Sequence, residues 1–368
     1  MNKRSTQLVT LGLALGLMMP AAFAQSTGMR DHSIRVVSNV PAIRGETVKL
    51  YVRERALPEV MRRGAGDRVV LFVHGAGTPA EVSFDVLHAD YSWMAFLAKA
   101  GYDVFSLDLT GYGRSTRPPQ MNDRCNLSAE QQKTFKVECA QAYPGALTNI
   151  ESDWHDITAA VNYIVKLRGV ARVNLIGWSQ GGPRAGGWAA LNPERVARLV
   201  LLAPAYTRGL SAEAPTLPVP GPVFNTQSRE EFMANWDRQA PCKKQYEPAA
   251  ANSVWREMLK SDPVGARWSP RVRRAPIASS GWGWTSERVK AMTTPTLLVV
   301  GEQDKQVDPQ RVESLYADLG ASDKALLTLT CASHNAMWET KHRTLFEASL
   351  EWLEKGTVRG ETTGVFRD

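Results

Sequence analysis

The chain has 368 residues, 43% of them hydrophobic and 22% charged, with a formal net charge of +7. That balance is the one of a globular protein, long enough for one large α/β domain with a sizeable insertion or for two ordinary domains. Mild basicity without a concentrated basic stripe or a recognised module excludes a dedicated nucleic-acid binder.

Taken in chain order, the first expected element is a cleaved secretory signal peptide over residues 1–24. Lys3 and Arg4 precede an apolar run from Leu8 to Met19, and the small-residue site Ala22-Phe23-Ala24 follows. The run is too short to cross a bilayer, which needs about 20 residues. The expectation is a bacterial protein of the periplasm or the exterior, with no stable membrane anchor after cleavage and a net charge of +5 once Lys3 and Arg4 are gone.

Beyond it, short β-branched runs alternate with helical stretches, as in βαβ architecture. Strands are expected at Val48–Val52, Val69–Val73, Val104–Leu107, Val173–Ile176, Leu199–Leu202, Thr296–Val300 and Ala325–Thr330. Several are nearly continuous in apolar residues, which is the mark of parallel strands covered on both faces. Ile150, Trp154, Ile157, Val161 and Ile164 recur at helical spacing and should pack on the sheet. Further helices are expected at Trp93–Ala100, Gln180–Leu191, Pro309–Leu319 and Arg343–Glu354. The fold class is therefore α/β, a mostly parallel central sheet with helices on both faces, its core formed by residues 25–204 and 291–368.

Two segments break the alternation. Residues 114–147 hold Cys125 and Cys139 and read as a disulfide-pinned excursion. Residues 205–290 hold nine prolines and five tryptophans between two strands and read as a lid or cap insertion. The four cysteines allow three pairings of two disulfides. Cys125 with Cys139 is the local pair, and Cys242 with Cys331 would then tie the second insertion to the segment before His334; free buried thiols are the alternative. No C-x-x-C or H-E-x-x-H spacing occurs, so neither a metal nor a cofactor is expected.

The residues that carry chemistry cluster at strand ends. Gly177-Trp178-Ser179-Gln180-Gly181 closes one strand and opens a helix, the strand-turn-helix setting of a G-x-S-x-G nucleophile elbow. A serine hydroxyl is a poor nucleophile at neutral pH and needs a histidine to take its proton and an acid to orient that histidine. Of six histidines, only His334 sits in the loop after the last expected strand. Asp304 follows the Thr296–Val300 strand and is the expected acid, with Glu302 and Asp308 as neighbouring decoys and Asp108 as runner-up. The developing oxyanion needs backbone donors, expected from Gln180 and from Ala76 in the His74-Gly75-Ala76-Gly77 loop, with His74 structural.

These elements, HGAG, DLTGYGRST, GWSQGG, VGEQD and SHNAMWE, resemble the α/β-hydrolase superfamily in order and spacing over about residues 65–355. The resemblance implies a serine hydrolase with a Ser179, Asp304, His334 triad, a structural Asp108, and an acyl ester as substrate. Amidase, lactonase and carbon-carbon hydrolase use the same acyl-enzyme logic and stay open, as does an inactive binding protein on the same scaffold. Residues 205–290 carry a net +5, the whole excess of the mature chain, with Arg271, Arg273 and Arg274 clustered among them. Such a basic, tryptophan-rich lid suits a small aromatic or anionic acyl substrate, with Trp178 lining its pocket; the alternative is tryptophans as lid core and arginines as a solvated face.

Overall fold

The computed structural model describes residues 26–210, 218–275 and 283–368. The expected signal peptide and Trp282 lie outside the described residues. Among the described residues eleven strands occur in chain order: β1 (Gly28–Val37), β2 (Thr47–Ala56), β3 (Val69–Val73), β4 (Asp103–Asp108), β5 (Val173–Trp178), β6 (Val196–Leu202), β7 (Asn225–Ser228), β8 (Arg271–Arg274), β9 (Thr296–Gly301), β10 (Lys324–Leu329) and β11 (Gly364–Arg367). Nine build one sheet in the order β1-β2-β4-β3-β5-β6-β9-β10-β11, and β7 pairs with β8 in a separate antiparallel ribbon. Only the β1-β2 and β2-β4 pairs of the main sheet are antiparallel; from β4 to β11 every pair is parallel.

The parallel strands are apolar because helices cover both faces. All five residues of β3 are buried, Val69, Leu71 and Val73 in one apolar cluster and Val70 and Phe72 in the other. The helix Ile150–Arg168 lays Ile157, Val161 and Ile164 on the first face, joined by Val312 and Leu315 of the helix Pro309–Asp318. The helices Trp93–Lys99 and His342–Lys355 cover the second with Trp93, Leu97, Leu345, Phe346 and Trp352.

The expected helix at Gln180–Leu191 is replaced by a wide π-turn at Gly182–Gly186 followed by a short α-helix at Gly187–Leu191. Trp284 lies flat against this turn, and a Cβ on Gly186 would stand 2.7 Å from its ring. His32 and His342 are enclosed: His32 meets Tyr163 and Glu54, and His342 is 6% exposed.

β6 pairs directly with β9, so the chain leaves the sheet after Leu202 and returns beside the strand it left. Between them lie β7, β8 and the helices Arg229–Asp237, Pro248–Ser261 and Pro263–Arg267. Phe232, Trp236, Val254 and Met258 of this segment are buried in the second apolar cluster. Disulfides join Cys125 to Cys139 and Cys242 to Cys331.

Candidate active site

Parallel sheets gather their loops at the carboxyl ends of the strands, where ligands of such folds bind. Ser179 directly follows β5, with φ of +58°, a left-handed backbone that a serine adopts only under constraint. Its N–H donates to Leu202 O at 2.9 Å, and its carbonyl accepts the N–H groups of Gly182 and Ala205, each at 2.9 Å. Close backbone packing explains the glycines. A Cβ on Gly177 would stand 2.5 Å from Gly181 O, one on Gly181 would stand 2.6 Å from Val73 O, and one on Gly75 would stand 2.8 Å from Ser179 Cβ.

His334 and Asp304 meet across the loops after β10 and β9. His334 Nδ1 lies 2.8 Å from Asp304 Oδ2, and both residues are 3% exposed. Asp304 Oδ1 accepts the N–H groups of Gln306 and Val307, each at 2.8 Å, so both carboxylate oxygens are fixed. Trp178 Nε1 donates to His334 O at 2.8 Å and pins the histidine backbone to the elbow. Ala76, Trp178, Ser179, His334, Phe232 and Trp338 all line one cavity of about 80 Å³.

The other acids are occupied elsewhere. Glu302 pairs with Arg367, and Asp308 caps the helix Pro309–Asp318 through Gln310 N at 3.0 Å. Asp108 is fully buried and accepts Ala80 N–H at 2.8 Å and Arg114 N–H at 2.9 Å, so it braces its own loop against the exit of the His74–Gly77 loop. His74 is also fully buried. Burial, helped by the nearby Arg184 cation, drives its pKa well below the usual histidine value. The neutral ring accepts Leu109 N–H at Nε2, 3.2 Å, and donates from Nδ1 to Gly75 O, 2.7 Å.

The model of the alpha/beta hydrolase fold family matches residues 68–341. The chain belongs to the α/β-hydrolase family. Curated relatives of this hydrolase include a 2-hydroxy-6-oxononadienedioate/2-hydroxy-6-oxononatrienedioate hydrolase from Cupriavidus pinatubonensis, 25% identical over 75% of this chain and 83% of the relative. The protein of the same name from Klebsiella pneumoniae is 24% identical over 80% and 88%. Among solved structures, a serine hydrolase from the polyaromatic hydrocarbon-degrading bacterium Cycloclasticus zankles covers 89% of this chain and 98% of its own at TM-score 0.54 and 14% identity. A thermophilic esterase from Thermogutta terrifontis covers 88% and 98% at TM-score 0.54 and 17% identity.

Two buried charges of this α/β-hydrolase escape sequence reading. Arg184, in the π-turn, pairs with Asp153 at 2.7 Å and donates to His74 O at 3.0 Å and Gly75 O at 2.7 Å. In a trans peptide the carbonyl and the following N–H point in opposite directions, so a clamped Gly75 O turns the Ala76 N–H away from Arg184. Glu339 accepts from Ser333 N at 2.7 Å, Ser333 Oγ at 2.5 Å and Trp236 Nε1 at 2.8 Å. It thereby joins the residue before His334 to the inserted segment, as the Cys242–Cys331 bridge does two residues earlier. Both roles depend on partners far away in sequence, and the only local signal for either was an ionisable residue close to a motif.

Proposed function

We propose that the protein is an exported serine hydrolase that cleaves an acyl ester through an acyl-enzyme on Ser179. His334 takes the serine proton through Nε2 as Ser179 Oγ attacks the carbonyl carbon, and Asp304 holds the ring in the tautomer that leaves Nε2 free. The N–H groups of Ala76 and Gln180 receive the negative oxygen of the tetrahedral intermediate. His334 then gives the proton to the leaving alcohol, and water repeats the sequence to release the acid. The observation that carries this reading is the enclosed Asp304–His334 bond beside a strained Ser179 on the same cavity. Phe232 and Trp338 on the cavity wall support an aromatic or apolar acyl or leaving group, and residues 205–290 then serve as its cap. Residues 1–24 and two disulfides support export, since such bridges persist in oxidising compartments.

The test is labelling by a fluorophosphonate together with hydrolysis of p-nitrophenyl esters. A single adduct on Ser179 is expected, and Ser179→Ala should remove it and lower kcat by about 10³- to 10⁶-fold. No adduct on the folded protein would overturn the reading in favour of a binding protein on this scaffold.

A second reading, hydrolysis of a carbon-carbon bond beside a carbonyl, is favoured by the names of the two curated relatives. It uses the same residues, with a carbanion as leaving group. β-Diketones turned over faster than aryl and alkyl esters would select it.

A further inference from the structure

The three arginines of β8 have different fates. Arg271 donates to Thr226 Oγ1 at 2.9 Å and pairs with Glu231 at 2.6 Å. Arg273 holds Asp262 at 2.7 Å and Asn122 Oδ1 at 2.7 Å. Arg274 forms no ion pair and no hydrogen bond among the described residues, and its Nε is buried without a partner. The residue is partly buried, and a guanidinium nitrogen taken out of water is costly unless an acceptor meets it. Burial accordingly pushes its pKa down, with only Tyr112 and Glu231 opposing.

The Arg274 head group lies on the Gly77 backbone, where a Cβ would stand within 2.1 Å of its Nε, so the glycine makes room for the cation. There it lines the cavity of Ser179 and His334 and also a second one of about 130 Å³, bounded by Ala76, Tyr112, Gln180 and Asn225. Two residues lining this second cavity carry further orphans: Gln180 Oε1 and Asn225 Oδ1 are both buried without a hydrogen-bond partner. Unpaired buried polar atoms are rare in folded proteins, and each asks for an explanation. Here a cation and two acceptors surround one small space, next to the loop expected to bind the oxyanion.

We propose that this second cavity is a subsite for the acid end of the substrate, its carboxylate on Arg274 and an adjacent hydroxyl or N–H donating to Asn225 or Gln180. Guanidinium matches carboxylate in charge and planarity, and a donor beside that carboxylate satisfies one of the two carboxamide oxygens. The two cavities share Ala76 and Arg274, so a short chain links the acid group to the carbonyl at Ser179. The inference rests on the ester-hydrolase reading for the bond that is cut.

The experiment compares p-nitrophenyl monoesters of succinic, glutaric and adipic acid with p-nitrophenyl esters of the monocarboxylic acids of matching length. The wild-type protein should favour the best monoester over its neutral match by about tenfold or more in kcat/KM. Arg274→Met should remove that ratio, and Arg274→Lys should restore part of it. In parallel, calorimetry on the Ser179→Ala protein should detect 2-hydroxyglutarate and not glutaramide, and the added Arg274→Met change should abolish the signal. No wild-type preference together with no 2-hydroxyglutarate binding would overturn the subsite and leave ester cleavage at Ser179 intact. Arg274-dependent acid binding in a protein that hydrolyses no ester would uphold the subsite and defeat the ester reading. An equal loss on both ester classes in Arg274→Met would overturn the subsite, and the wild-type comparison still decides if that variant does not fold.

Discussion

Asp304, in the loop after β9, and Asp108, the last residue of β4, are both buried carboxyls, yet one holds a histidine ring and the other holds only backbone. Asp304→Asn should therefore keep the melting temperature and cost up to about 10⁴-fold in kcat, by leaving the wrong His334 tautomer in place. Asp108→Asn should lower the melting temperature more than the rate per folded molecule; a folded, inactive Asp108→Asn beside a fully active Asp304→Asn would move the acid to Asp108. The placement of Ser179, Asp304 and His334 at strand ends was legible, because chain order fixes which loops meet in this fold. Arg184 and Glu339 were not, because their roles come from partners on other elements, and Arg274 was readable only as one of a basic cluster, since nothing in the sequence separates it from the paired Arg271 and Arg273. For Arg184 the consequence is measurable. Arg184→Lys keeps a cation beside Asp153 but loses the fork that also holds Gly75 O, so kcat should fall by about 10- to 100-fold with KM nearly constant. That split separates a looser oxyanion loop from lost substrate binding. Arg184→Met should instead destabilise the fold by about 3–5 kcal/mol through the unpaired buried Asp153.

The interior parallel strands β3, β5, β6 and β9 were readable from continuous apolar runs, since both their faces meet helices. β1 was not, because it is an edge strand in which Ile34 alone is buried, over a charged sequence, and β11 is four residues long with two of them exposed. β7 and β8 hid for another reason. Their partners are each other, inside the insertion, and three of the four β8 residues are arginines. The disulfides act at this scale as well. Cys125–Cys139 closes a separation of 14 residues within the excursion, whereas Cys242–Cys331 closes 89 and ties the insertion to the His334 loop. Loop-closure entropy assigns about 3 kcal/mol to the first and about 4–5 kcal/mol to the second. Cys242→Ser with Cys331→Ser should thus lower the melting temperature more than the Cys125, Cys139 pair of serines. It alone should also reduce kcat, because the segment before His334 loses the disulfide that ties it to the insertion and keeps only the Glu339 link to Trp236. Equal effects on kcat from both pairs would refute this division.

Across the whole molecule, residues 205–290 carry +5 of the net +7, while the core buries several carboxyls that set the response to pH. Asp156 is enclosed, accepts Thr110 N–H at 2.8 Å, and is pushed by burial up to about 7. Burial raises Glu81 to about 7, with Asp108 adding to it, and raises Asp103 to about 7 in spite of Arg168. Each binds its proton more tightly in the folded chain than in the unfolded one. Their contribution is therefore complete below an unfolded value of about 4 and is lost as pH rises through about 7. Asp108, Asp153 and Glu339 are pushed by burial in the same direction. His74 acts the opposite way: held neutral when folded, it withdraws stability as pH falls below about 6.5. Asp318, held low chiefly by its hydrogen bond to Arg208, and Asp262, where Arg273 and Arg117 outweigh burial, cost stability only in stronger acid. One histidine against several carboxyls leaves a net loss of stability between about pH 5 and 8. The melting temperature at constant ionic strength should accordingly peak in mild acid and fall toward pH 8. Asp156→Asn should flatten that decline, because the amide fills the same space without a proton to lose. A melting temperature that climbs steadily from pH 5 to 8 would mean that these carboxyls are charged in the folded protein.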